Sequence, residues 1–121
     1  MRRVAILSVI VLMLMASACA SWDENAYLED GYDAMTQERY AEAERYFNKV
    51  LEINPDNAYA LLNLGVVYQN TERYDQAKKM YRKVIALDPR EKPSKVTRDD
   101  ARGKPLADIA KENLEILQYM K

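Results

Sequence analysis

Residues 71–89 read TERYDQAKKMYRKVIALDP and residues 37–55 read QERYAEAERYFNKVLEINP, and this pair of related stretches decides the fold. The two stretches superpose at an offset of 34 residues, and the match extends upstream of both. The identical positions include a Glu-Arg-Tyr triplet, a glycine (Gly31 and Gly65) and a proline (Pro55 and Pro89). A chain that repeats itself at a fixed period predicts a repeat architecture.

Each copy carries apolar residues at the spacing of one helix face. They recur three or four positions apart, at Tyr40, Ala43, Phe47 and Val50 in the first copy and at Tyr74, Ala77, Tyr81 and Val84 in the second. This spacing is typical of a helix with one buried side. We therefore predict helices near residues 22–36, 39–53, 57–70 and 73–87, with Asp56 or Asn57 capping the third after the break at Asn54-Pro55.

The second copy resembles the tetratricopeptide repeat, a helix–turn–helix unit of 34 residues. The residues that carry the resemblance are Leu61, Leu64, Gly65, Tyr68, Tyr74, Ala77, Tyr81 and Pro89. The resemblance implies an all-α fold with two repeats, residues 24–57 and 58–91, stacked as a short right-handed solenoid. In the first copy, Asp30 stands where the family has leucine and Ala34 where it has tyrosine, so we expect its first helix to pack less tightly.

The pattern changes after Pro89. Residues 92–104 contain many charges, two glycine or proline breaks and no apolar period, which predicts an irregular connector. Residues 105–121 begin with a proline suited to a first helical turn and carry a broad apolar face. Because the end of a solenoid must be covered, we predict that residues 105–121 form a C-terminal capping helix.

The chain opens with the features of a secretory signal peptide. Two arginines precede an apolar run from Val4 to Met15, and the small residues Ala16, Ser17 and Ala18 follow. The apolar run is shorter than the roughly 20 residues that a membrane-spanning helix needs. We predict that residues 1–18 are a signal peptide that is removed, with an uncleaved signal anchor as the alternative.

The tetrapeptide ASAC, residues 16–19, resembles the lipobox of bacterial lipoproteins. The resemblance implies that Cys19 is acylated and that residues 19–23 form a tether. Cys19 is the only cysteine, so it has no internal disulfide partner, and two or three acyl chains hold a protein stably at a bilayer. Ala20 is not the aspartate of an inner-membrane retention signal, which implies the outer membrane of the bacterial cell envelope, facing the periplasm. Secretion without a lipid is the alternative.

Charge is distributed unevenly along the chain. The net charge is −1 and becomes −3 without residues 1–18. Residues 19–57 hold ten acids and three bases, whereas residues 78–104 hold ten bases and four acids. This asymmetry favours docking of the basic part on an anionic surface or end-to-end pairing of copies, while two solvated faces are the simpler interpretation.

The composition argues against catalysis. There is no histidine, so the common triads and the usual histidine metal sites are excluded. The neighbouring acids Asp99-Asp100 and Glu29-Asp30 are interpreted as solvated charges, and the three glycines are too scattered for a phosphate loop. We predict no enzymatic activity, cofactor, metal or small-molecule substrate, and no nucleic-acid partner for an exported acidic chain.

The first helix of each repeat carries a second apolar stripe beside the one that packs inward. In tetratricopeptide repeat proteins these helices line a groove that binds a peptide or helix of a partner protein. The resemblance implies a groove formed by Asn25, Leu28, Tyr32, Met35, Tyr59, Leu62, Asn63, Val66, Gln69 and Asn70. We expect its ligand to be apolar or aromatic with a few amide contacts. The alternative is that the connector or the last helix covers this surface.

These features predict a membrane-tethered adaptor or scaffold that acts by protein–protein interaction, with its partner in the cell envelope. One alternative is an assembly factor that resembles the pilotins, lipoproteins that deliver a pore subunit of pilus or secretion machines to the outer membrane. Another is a structural subunit whose apolar faces are all buried in one permanent envelope complex.

Overall fold

A computed structural model describes residues 23–88, 90 and 103–120, and the regular structure in these ranges is helical. The first helix, α1, covers residues 23–36. It is followed by α2 (Tyr40–Ile53), α3 (Ala58–Asn70), α4 (Tyr74–Leu87) and α5 (Leu106–Leu117). Helices α2, α3 and α4 each begin one residue after the predicted start and end at the predicted residue.

Several sequence-based predictions fall outside the described residues. They concern the signal peptide, Cys19, the tether up to residue 22, and most of the connector, residues 92–102. Within the described ranges, no helix has the length and apolar character needed to span a bilayer.

The turn between the two helices of a repeat has the same backbone in both copies. Glu38 and Glu72 both have a φ of 61°, in the left-handed region. The N–H of Arg39 donates to the Ala34 carbonyl at 2.9 Å, and the N–H of Arg73 donates to the Tyr68 carbonyl at 2.8 Å. A residue other than glycine in this region costs about 1 kcal/mol or more. The two copies therefore share one strained turn, which fixes the same antiparallel hairpin twice.

Within each hairpin, the helices meet at a glycine. A Cβ atom on Gly31 would lie 2.7 Å from Cε1 of Phe47, and one on Gly65 would lie 2.5 Å from Cε1 of Tyr81. Both rings are fully buried. The missing side chain thus allows close approach of α1 to α2 and of α3 to α4, with an aromatic ring filling the crossing.

The helices form two layers. Helix α3 packs on α2 and α4, and α5 packs on α4 and α3. Helix α5 therefore follows α4 as α3 follows α2. Helices α1, α3 and α5 make one layer, and α2 and α4 make the other. Leu106 and Leu117 of α5 are fully buried in the common core, and α5 lies where the capping helix was predicted.

Helix α1 buries only Gly31, Ala34 and Met35, whereas α3 buries eight residues. Ala34 of the same helix is fully buried, whereas Asp30 and Asp33 are exposed. The corresponding residues of the second repeat, Leu64 and Val67, are buried because helices lie on both sides of α3. Within the described ranges no helix precedes α1, so these aspartates occupy the outer end of the stack. We call Asp23, Asp30 and Asp33 the acidic end.

Candidate functional site

The predicted groove residues lie on α1 and α3, in one layer of the fold. Their exposure divides them into three groups. Met35 and Leu62 are only 4% and 6% exposed and belong to the core. Asn25 and Asn70 are exposed, and the half-buried group comprises Leu28, Tyr32, Tyr59, Asn63, Val66 and Gln69.

The half-buried group gives the candidate site its character. Leu28, Tyr32, Tyr59 and Val66 pack against the core with one side and keep part of their surface accessible. Met35 and Leu62 belong to that core. The structure therefore brings apolar and aromatic side chains of α1 and α3 to one surface, which we call the groove surface.

Gln69 is tied to the core below the groove surface. The hydroxyl of Tyr81 donates to Oε1 of Gln69 at 2.9 Å. Because the Tyr81 ring is fully buried against Gly65, its hydroxyl has a fixed position. The bond therefore orients the Gln69 side chain from below.

One end of the groove layer is held by a contact that the sequence did not predict. Oε1 of Glu24 on α1 accepts from Nδ2 of Asn57 at 2.6 Å and from Nδ2 of Asn54 at 3.2 Å. Oδ1 of Asn57 also accepts from the N–H of Ala60 at 2.9 Å, which confirms Asn57 as the cap of α3. A single asparagine thus starts α3 and fastens α1 to it, so the spacing of the two groove helices is fixed.

A second unpredicted contact joins the two repeats through Glu44 on α2 and Arg73 before α4. Two guanidinium nitrogens of Arg73 donate to the two carboxylate oxygens of Glu44, at 3.1 and 2.6 Å. The guanidinium also lies 4.5 Å from the centre of the Tyr68 ring. A bidentate, stacked arginine of this kind fixes both the distance and the relative orientation of the two side chains that it joins. Arg39, the matching residue of the first repeat, pairs with Glu42 of its own repeat instead.

This contact changes the proton affinity of Tyr68. Burial raises the pKa of the Tyr68 hydroxyl above its usual value, and the charge and hydrogen bond of Glu44 raise it further, while Arg73 opposes them. The hydrogen bond to Glu44 also raises the pKa of Arg73. Tyr68 is therefore held in its neutral form and Arg73 in its charged form.

Within residues 23–88, 90 and 103–120, no group of three or more acidic, histidine or cysteine side chains is placed to hold a metal ion. The groove surface combines half-buried apolar and aromatic groups with the amides of Asn25, Asn63, Gln69 and Asn70. Such a surface removes apolar area from water when a partner covers it.

Comparison with known proteins agrees with this architecture. A family model for the tetratricopeptide repeat matches residues 34–94, half of the chain. Comparison with curated proteins gave no match. The matched range includes α2, α3 and α4, and α5 packs on α4 as α3 packs on α2. The all-helical repeat fold and the family match together show that this chain belongs to the tetratricopeptide repeat family.

Proposed function

We propose that this chain is a protein-interaction module, tethered to a membrane of the bacterial envelope, that binds a partner segment on its groove surface. Tetratricopeptide repeats in general mediate protein–protein interaction. The observation that carries the proposal is the row of half-buried apolar and aromatic side chains that α1 and α3 share: Leu28, Tyr32, Tyr59 and Val66. Covering such area contributes about 25 cal/mol per Å² to binding before the losses of association are counted.

The chemistry of the groove layer defines the partner segment. Its anchors are apolar or aromatic, to match Leu28 and Val66, and its polar groups meet the amides of Asn25 and Asn63. The described parts of α1, α3 and α5 carry eight acidic residues and one basic residue. Basic residues beside the apolar anchors therefore complement this layer.

The tether of the proposal is an acyl group on Cys19. Support comes from the sequence, where the single cysteine follows an apolar run and small residues. A tethered module meets membrane-bound partners at high effective concentration, so a modest groove affinity suffices. The proposed location is the outer membrane, with the repeats in the periplasm.

The groove is tested by Leu28→Glu together with Val66→Glu. We expect these changes to abolish capture of cross-linked partners from the cell envelope, because two carboxylates would be buried without counterions. The matched control is Ile53→Glu with Leu87→Glu, which are 38% and 40% exposed, lie one repeat apart and are outside the groove surface. Equal capture by the groove variant and the control, at equal helix content by circular dichroism, would exclude the groove surface as the binding site.

The tether is tested separately by the intact mass of the mature protein from the membrane fraction of its native bacterium. A mass for residues 19–121 with added acyl chains, absent in Cys19→Ser, is the expected result. A mass that begins at residue 19 or 21 with no lipid would contradict the tether and leave the groove untouched.

A further inference from the structure

The two helix layers carry opposite charge. The groove layer, α1, α3 and α5, holds eight acids and one base in its described residues, whereas α2 and α4 together hold four acids and six bases. The net charges are −7 and +2. Neighbouring helix layers are about 10 Å apart, so the charge separation crosses the molecule rather than following the chain.

The positive charge is concentrated on one face of α4. Arg82 and Lys83 follow Lys79 by three and four residues, and all three are exposed, so both lie beside Lys79 on the helix surface. The sole acid in α4 is Asp75, which lies 4.0 Å from Lys78 and one turn before Lys79 on the same side of the helix. We call Lys79, Arg82 and Lys83 the α4 basic face.

We infer that the α4 basic face docks on an anionic lipid surface and turns the groove surface away from the bilayer. The inference rests on the proposed function in one respect, the lipid on Cys19. Cys19 is four residues before Asp23, and four extended residues span at most about 14 Å. A chain anchored so closely always has the bilayer within reach. An acidic partner in solution is not held close in this way, so we name the bilayer as the occupant.

The same geometry sets the orientation. A fully extended tether is longer than the roughly 10 Å between helix layers, so its reach allows α2 and α4 to fit between α1 and the membrane surface. Anionic headgroups attract the α4 basic face and repel the acidic groove layer. The docked molecule therefore presents Leu28, Tyr32 and Val66 to the periplasm, where a partner segment reaches them.

The test uses the mature chain, residues 19–121, with Cys19→Ser and purified from the soluble fraction, so that neither the apolar leader nor an acyl group contributes. Its sedimentation with vesicles of phosphatidylcholine is compared with that on vesicles containing about 30% phosphatidylglycerol. We expect binding to the anionic vesicles alone, and its loss in about 0.5 M salt. The variant Lys79→Glu/Arg82→Glu/Lys83→Glu should reduce the partition coefficient more than about tenfold, since each base near an anionic surface contributes to attraction.

The matched control is Arg39→Glu/Arg90→Glu/Lys111→Glu. It changes the net charge by the same amount at exposed residues outside α4 and should keep most of the binding. Equal losses in the two triple variants would mean that net charge alone acts, and would overturn the inference. Absence of binding to anionic vesicles would overturn the inference as well. So would formation of a salt-sensitive dimer of the chain instead of binding to the vesicles. None of these results depends on the groove variants or on the mass of the acylated protein.

Discussion

Tyr81 occupies the space that any side chain at residue 65 would need. A Cβ there would lie 2.5 Å from Cε1 of a ring that is fully buried and held through its hydroxyl by Gln69. We expect Gly65→Ala to lower the free energy of unfolding by about 1–3 kcal/mol, even though alanine favours helix more than glycine does. Urea unfolding measures this. In a Tyr81→Leu background the same substitution should be nearly neutral, and an equal loss in both backgrounds would contradict a clash with the ring.

Tyr68 predicts a pH dependence on the alkaline side. Burial and Glu44 raise the pKa of its hydroxyl in the folded state, so as pH rises the unfolded chain loses this proton first. The contribution of Tyr68 to stability is therefore complete below about pH 10, the ordinary tyrosine value, and declines as pH rises through the higher folded-state pKa. We expect the free energy of unfolding to fall more steeply above about pH 10 in the wild type than in Tyr68→Phe. The exposed Tyr119→Phe is the control, and identical curves for wild type and Tyr68→Phe would exclude this effect.

At the scale of the helix, the acidic end of α1 replaces the apolar contact that α3 makes. Asp30 and Asp33 occupy the positions of Leu64 and Val67, and terminal repeats need a polar outer face to remain soluble. We expect Asp30→Leu with Asp33→Val to cause concentration-dependent self-association, seen by analytical ultracentrifugation. The control Asn48→Val with Glu52→Leu adds as much apolar surface on the exposed side of α2. Equal association of the control would show that the position on α1 is unimportant.

The helices of the repeats were predictable because the 34-residue period marks the same helix boundaries in both copies. A glycine, a proline and a repeated apolar stripe mark each unit, and the structure follows them to within one residue. How far the second apolar stripe of α1 is covered was not predictable. The sequence shows two apolar stripes on that helix, and Met35 became core while Tyr32 beside it stayed half-buried. Only the placement of the neighbouring helices decides between them.

The contacts that fix the groove had no signal in the sequence. Glu24 reaches Asn54 and Asn57 from about one repeat away, and Glu44 reaches Arg73 across the repeat boundary. Neither acid is repeated, because Ala58 and Lys78 occupy the matching positions of the second copy. Comparison of the copies therefore hides these side chains, although a break in the repeat at an acidic residue is itself a hint that the residue has a local partner.

At the scale of the whole molecule, α5 supplies part of the core. Leu106, Ile109 and Leu117 are buried with residues of α3 and α4, and two repeats alone are fewer than a solenoid usually needs. We expect deletion of residues 105–121 to remove the cooperative thermal transition and to leave an aggregating or molten chain, as followed by circular dichroism and light scattering. The shorter deletion of residues 118–121 should keep the transition, because residues 118–120 are exposed. A sharp, unchanged transition in the longer deletion would contradict a role for α5 in the core.

The pair of Glu44 and Arg73 also makes the two repeats non-interchangeable at their boundary. If a gene duplication placed a second copy of the latter repeat behind the first, its arginine would arrive beside Lys78, the residue that stands at the position of Glu44. Two cations would then meet where the natural boundary has an ion pair with two hydrogen bonds. A tandem duplication of the second repeat would therefore create a boundary without this ion pair, and an acid at residue 78 would restore it.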